Sequence, residues 1–361
     1  MIVGAELAFK GRQPLQAGAT TMIRTLRGWT IVRKTDAGRH ACRSGIHSFR
    51  ACVLAMIRRS TPCAVVLASL ATPALATTIG VAMVQPNGFT QLLRDGIESY
   101  AKSVPGVAVQ FVYAPEGAGE TQIEQVRQFI TAKVDALLIL PVDPLANATI
   151  TRLAQETDIP LVYANNGPRE DWFAGRIAFV LPNDLVAGRL QMRKLAQMLD
   201  GKGRIAIIEG HPSHSATDSR TRGVKEVAAA FPGLSVVAEG AADWDRKKAA
   251  SLVAGWLAKG LALDAIVANN DEMAIGAADA VAAAGLPPDR ILIGGVDATP
   301  EGLSAMQRKR MAVTVYQDAG LQARRAIDDA LKLIRHETVQ QYDWVPFELV
   351  TDRMSTTHFS K

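Results

Sequence analysis

The chain has 361 residues, 48% of them hydrophobic and 21% charged, which excludes a disordered polymer and leaves room for two domains of ordinary size. Its formal net charge of +5 is unevenly placed. Residues 1–76 hold 11 of the 40 Lys and Arg but two of the 35 Asp and Glu, so 77–361 is mildly acidic and gives no argument for nucleic acid as a partner.

All three cysteines, Cys42, Cys52 and Cys63, precede residue 77, so the body has no disulfide, thiolate metal site or cysteine nucleophile. The stretch "MIRRSTPCAVVLASLATPALA" (56–76) combines Arg58 and Arg59 with an apolar run from Ala64 to Leu70 and a small-x-small site at Ala74-Leu75-Ala76. It reads as a secretory signal peptide whose apolar run is too short to span a bilayer. Met56 is then the expected start, and 1–55 an upstream extension without function.

From Thr77 onward, short apolar runs alternate with longer amphipathic ones. The expected strands are "TIGVAMV" (78–84), "VAVQFVYA" (107–114), "ALLILPV" (136–142), "PLVYAN" (160–165) and "IAFVLP" (177–182). The series continues with "RIAIIEG" (204–210), "SVVAEGAA" (235–242), "AIVAN" (265–269), "ILIGGV" (291–296) and "AVTVYQ" (312–317). Helices are expected at 89–103, 119–132, 145–156, 184–199, 216–230, 246–259, 271–284, 300–309 and 319–335. Continuous apolar strands separated by helices predict parallel sheets covered on both faces, a doubly wound α/β fold. The pattern restarts near Asp184, which favours two lobes over one ten-stranded sheet.

Polar residues gather just past the strands, where open α/β sheets bind ligands. In "AIVANNDEMAIGA" (265–277), Asp271 is the expected N-cap of the next helix, which leaves Asn269 and Asn270 without a local task. Asp184 is an expected cap of the same kind, and Thr299-Pro300-Glu301 starts a helix with a cap, a proline and an acid. Gly276 is expected to let its helix pack closely on the sheet.

Catalytic signatures are missing. No complete Gly-x-Gly-x-x-Gly follows a strand, and there is no phosphate loop and no Gly-x-Ser-x-Gly elbow. His211, His214 and Asp218 fit a solvated loop better than a metal site. No cofactor and no enzymatic activity are expected.

The segments "PNGFTQLLRDGIES", "HSATDSRTRGVKEV", "ADWDRKKA", "ANNDEMAIGAADAV", "GGVDATPEGL" and "VTVYQDAG" occur in an order and spacing that resemble the periplasmic sugar-binding proteins of the ribose/galactose type. These are the type I periplasmic binding proteins, the substrate-binding subunits of ABC importers. The resemblance covers 77–361 and implies two Rossmann-like lobes joined by a three-strand hinge, crossed near Pro182, Gln317 and Pro346. The N-terminal lobe would comprise 77–182 plus 318–345, and the C-terminal lobe 183–317 plus 346–361.

Carried over by position, the resemblance implies that Asn87, Phe89, Asn165, Asn166, Arg222, Trp244, Asn270, Asp297 and Gln317 bind the ligand. Phe89 and Trp244 would be its aromatic walls. Each has a plainer reading: Phe89 as core, Asn87 as a cap, Asp297 as a turn residue, Arg222 as a surface ion pair with Arg220 as its competitor. Trp172 reads as hinge-side packing.

Aromatic rings cover the C–H faces of a sugar, while carboxamides, one Asp and one Arg satisfy its hydroxyls. One Arg balanced by one Asp predicts a nearly neutral ligand. Asn165-Asn166 replaces the family's charged pair, and Leu140 replaces a polar contact of ribose binders. The combined motifs are similar to those of the inositol and rhizopine subgroup. "GLPPDR" (285–290) is too short for the calcium loop of galactose-type members.

The resemblance implies a periplasmic location and an inner-membrane permease as partner, or a chemoreceptor or sensor kinase. The fold also serves lac-repressor-type transcription factors, but these need a helix-turn-helix of about 60 residues, and 1–76 shows no paired capped helices.

Overall fold

The computed structural model describes residues 76–168 and 172–350. Residues 1–55, the stretch up to residue 75 that reads as a signal peptide, the three cysteines and the segment 351–361 lie outside the described residues.

The first sheet contains six parallel strands: β1 (Thr77–Val84), β2 (Val107–Ala114), β3 (Ala136–Ile139), β4 (Leu161–Ala164), β5 (Ile177–Pro182) and β11 (Tyr342–Val345), in the order β2-β1-β3-β4-β5-β11. The second contains β6 (Lys202–Glu209), β7 (Gly233–Ala241), β8 (Ala265–Ala268) and β9 (Leu292–Gly294), in the order β7-β6-β8-β9. Both start with the second strand outside the first, so both have a switch point where the strand order reverses. Every residue of β3, β4 and β8 is buried, as helices on both faces require.

Helix α1 (Gly88–Ser103) buries Phe89, Leu93, Ile97 and Ala101, a stripe with the spacing of one helix face, and packs against α9 (Ala319–Ile334) on one side of the first sheet. Helices α2 (Gly119–Thr131) and α3 (Pro144–Thr157) cover the other side through Phe129 and Ile150. On the second sheet, α6 (Arg246–Ala258) and α7 (Asp271–Ala283) cover one face, and α4 (Asp184–Met198) and α5 (Ser215–Ala229) the other. Helix α8 (Pro300–Gln307) packs beside α7.

The chain passes from β5 into α4 after Pro182, and from β10 (Val315–Gln317) into α9 after Gln317. Strand β11 ends the first sheet at Val345, and β12 (Phe347–Leu349) then pairs antiparallel with β10. Strands β11 and β12 were not expected. They are three or four residues long and separated by Pro346, so no local run announces them.

Local structure corrects three expectations. Asn270, not Asp271, caps α7, its side chain accepting from Met273 N–H at 3.0 Å. Asn183, not Asp184, caps α4. Gly276 lies against the Arg246 carbonyl of α6, a neighbouring helix rather than the sheet. Thr299 caps α8 as expected, with Pro300 at its first position. No helix among the described residues is long and apolar enough to cross a membrane.

Candidate ligand-binding cleft

The carboxyl ends of both sheets converge on one cavity of about 140 Å³. That is room for on the order of ten waters, the size of one monosaccharide or cyclitol ring. The first lobe supplies Asn87 and Phe89 after β1, Glu116 after β2, Leu140 after β3, and Asn165 and Asn166 after β4. The second supplies Asp243 and Trp244 after β7, Asn270 after β8, Asp297 after β9, Gln317 at the end of β10, and His214 and Arg220 from the α5 region. Eight of the nine candidate residues therefore share one hollow. Contacts close it: Asn166 Nδ2 lies 2.7 Å from His214 Nε2, and Gln317 Nε2 donates to Asn165 Oδ1 at 2.8 Å.

The exception is Arg222. Its side chain is 50% exposed and pairs with Asp218 at 3.1 Å. It lines a flanking groove with Asn183 and Trp344. Arg220 occupies the cleft instead. Two residues apart on a helix means about 200° of rotation, so only one of these arginines can face inward. Buried Ala216, Thr217, Arg220, Thr221, Gly223 and Val224 mark the inward face of α5.

Arg220 organises the floor. Its Nε donates to Asp184 at 2.8 Å, Nη1 to the Asn269 carbonyl at 2.7 Å and to Asp297 at 3.4 Å, and Nη2 to Gln317 Oε1 at 3.0 Å. Its guanidinium carbon lies 5.9 Å from the Trp244 ring centre and 5.6 Å from that of Phe347. Burial works against the cation, and Asp184 and Asp297 outweigh it. Asp297 is itself pushed well above the usual carboxylate range by burial, with Arg220 opposing.

Asn269 has a structural task, accepting from Gly210 N–H and from Thr221 Oγ1. Asn270 uses its Oδ1 for the helix cap, and its Nδ2 makes no hydrogen bond among the described residues. Phe89 is both core and cavity wall. The Asn87 backbone N–H donates to Thr90 Oγ1, while its side chain is exposed at the rim.

Trp244 packs edge-on to His214 with ring centres 5.2 Å apart. Its six-membered ring fills the place a side chain on Gly210 would take. Asp243, Trp244, Asp297 and Ala298 all have positive φ, at 51°, 63°, 115° and 50°. Such backbone is disfavoured for side-chain-bearing residues and gathers at ligand clamps. Trp172 is 73% exposed and lines a separate groove with Arg176 and His336.

Two carboxyls, the buried Asp271 and the half-buried Glu116, give a pH dependence. Asp271 accepts from Thr299 N–H and from the hydroxyls of Thr299 and Thr314, yet burial pushes its pKa up to about 7. Glu116 is likewise raised to about 7, by burial first and then by Asp143 and Asp243. A carboxyl raised by folding holds a proton that the unfolded chain releases from about pH 4 upward, so its stabilisation is lost as pH rises towards 7. Carboxyls lowered by folding, such as Asp95 and Asp264, act only below their ordinary values. Asp271 and Glu116 should therefore each cost the ligand-free protein on the order of 2 kcal/mol of stability between pH 5 and pH 8. Thermal unfolding of wild type and Asp271→Asn checks this; a melting temperature that rises over that interval contradicts it.

Among the described residues no group of three or more His, Cys, Asp or Glu side chains could hold a metal.

The sequence profile of the periplasmic binding protein domain matches residues 79–338. The chain belongs to the periplasmic binding protein family. This binding protein is 43% identical over 286 residues to the "Putative rhizopine-binding protein" of Rhizobium meliloti, covering 78% of this chain and 92% of that one. It is similar in fold to an ABC transporter solute binding protein from Bacillus halodurans with bound myo-inositol, with a TM-score of 0.73 and 35% identity over 78% of this chain and 96% of that one. The Caulobacter myo-inositol binding protein bound to myo-inositol gives a TM-score of 0.72 at 25% identity, over 77% and 94% of the two chains. The binding protein thus has the fold and the class that the resemblance implied, that of sugar-binding proteins of ABC transporters.

Sequence reasoning passed over Glu116, Asp243 and His214 as site residues. "PEGAG" and "ADWD" were visible as polar strand ends, which was the available signal.

Proposed function

We propose that this binding protein captures one cyclic polyol of the inositol type in the periplasm and offers it to the permease of an ABC importer. The reading rests on one observation: a cavity of single-ring size with an aromatic residue from each lobe, Phe89 and Trp244, and a rim of carboxamides and carboxyls. Asn270 keeps an uncommitted donor, and Asp297 has one carboxyl oxygen beyond its contact with Arg220. A polyol hydroxyl both donates and accepts, so it can satisfy the two together. Myo-inositol in two structural relatives and the rhizopine of a sequence relative's name support the same class.

Capture proceeds by rotation of the lobes about the three crossing strands, and the ligand leaves chemically unchanged. The signal-peptide stretch 56–76 supplies the route to the periplasm. Calorimetry of the full chain against myo-inositol, D-ribose and D-galactose tests the ligand class. Myo-inositol should bind most tightly, and at a hundred times its Kd should stabilise the fold by about 2.7 kcal/mol. Asp297→Asn, which keeps the shape of the side chain, should weaken binding by about 1–3 kcal/mol. Tighter binding of ribose or galactose would refute the inositol reading.

A further inference from the structure

Beside the ligand cavity lies a second, much smaller one of about 20 Å³. Both lobes line it. Asn147 of α3 and Asn166 after β4 come from the first, and Ser213 and His214, in the turn before α5, come from the second. A space of this size admits one water molecule, and a hydroxylated ring does not fit.

Two buried acceptors mark the place. Asn147 is 4% exposed and Asn166 8%, and the carboxamide oxygen of each makes no hydrogen bond among the described residues. The Asn166 nitrogen is already engaged, 2.7 Å from His214 Nε2 and 3.3 Å from the Pro141 carbonyl. Turning that amide over only exchanges which of its atoms is left over. Buried polar atoms are almost always paired, with protein or with ordered water. One water carries a proton for each of the two oxygens and keeps its lone pairs for the second-lobe turn.

We propose that closing of the lobes holds one water molecule in this cavity, donating to Asn147 and Asn166, and that Asn147 is thereby a positioning residue for ligand capture. Asn147 is not among the residues that line the ligand cavity. The walls around the water come from both lobes, so opening the cleft gives both oxygens to solvent, and the bridge belongs to the closed form alone. It adds to the contact between Asn166 and His214, and its loss is read in ligand release rather than in encounter.

The test combines crystallography and release kinetics on the full chain, with whichever of myo-inositol, D-ribose and D-galactose binds most tightly. A high-resolution crystal structure of the liganded protein should show a water within about 3.2 Å of both carboxamide oxygens. Asn147→Leu fills the space with an apolar side chain of similar size and should speed ligand release about tenfold. Asn147→Ala leaves room for a second water and should speed it less than about threefold. A residue that only packs gives the opposite order, since leucine keeps the volume that alanine removes. A liganded crystal structure without that water overturns the proposal, as does a leucine variant that releases ligand no faster than the alanine variant. So does a metal ion in its place, recognised by oxygen contacts shorter than about 2.6 Å. Tightest binding of D-ribose or D-galactose refutes the inositol reading and leaves this test intact.

Discussion

Arg220→Ala is expected to abolish ligand binding and to destabilise the fold by about 3–5 kcal/mol. Arg220 is almost fully buried, and its removal takes the guanidinium away from two carboxyls, the buried Asp297 and the largely buried Asp184. The Asn269 carbonyl and Gln317 Oε1 lose their donor in the same step. Leaving one member of such a network unpaired is worse than never having built it, because each group keeps its desolvation penalty. Binding fails for a geometric reason as well. Asp297, Gln317 and the neighbouring Trp244 ring are held in place around the guanidinium. Arg222→Ala is the matched control: its pair with Asp218 is exposed and should contribute less than about 0.5 kcal/mol. Urea unfolding and calorimetry on both variants separate the two arginines, and equal losses would refute the assignment of Arg220 to the cleft.

Gly188→Ala is the second large effect, from a position that touches no ligand. Helices α4 and α5 cross at Gly188 and Gly223, where a methyl on Gly188 would overlap the Arg220 carbonyl. On Gly223 it would meet the Leu185 carbonyl and the Arg189 amide. These obstacles are backbone, so no rotamer change relieves them, and the helices must separate. A loss of about 3 kcal/mol follows, at the upper end for overpacking. Affinity should fall as well, since the displaced helix carries Arg220 into the cleft. Gly255→Ala in α6 is the contrast. It is exposed with nothing near the added methyl, and should stabilise by about 0.5–1 kcal/mol through helix propensity. Stabilisation by Gly188→Ala, measured by thermal unfolding, would show that the two helices have slack.

Much of this architecture was legible before any coordinates. Buried parallel strands announce themselves as continuous apolar runs, and β3, β4 and β8 are apolar because both of their faces are covered. Residues that follow a strand and open a helix are equally local. Asn270 stands out as a carboxamide at a strand end, Asp297 and Trp244 through the family resemblance, and all three line the cleft. The short strands β11 and β12 escaped because they exist only through pairing with β5 and β10, far away in the chain.

The arginine assignment failed for a different reason. A motif match at Gly223 drew attention to the residue beside it, whereas helix phase already grouped position 220 with 216, 223, 224 and 227. Asn270 takes the capping role expected of Asp271, because both residue types can cap a helix. The Thr299 and Thr314 hydroxyls, which arrive from other segments, decide between them by engaging Asp271.

Sequence by itself determined the layered α/β fold, the two-lobe plan and the polar strand ends, since each depends on residues close together along the chain. Only the tertiary structure decided which arginine enters the cleft, which carboxyls burial pushes upward, and that Glu116 makes no ion pair among the described residues. Those properties belong to the field at a point in space. That field is the sum of charges and burial contributed by Asp143, Asp243 and a wall of neighbours that no local pattern brings together.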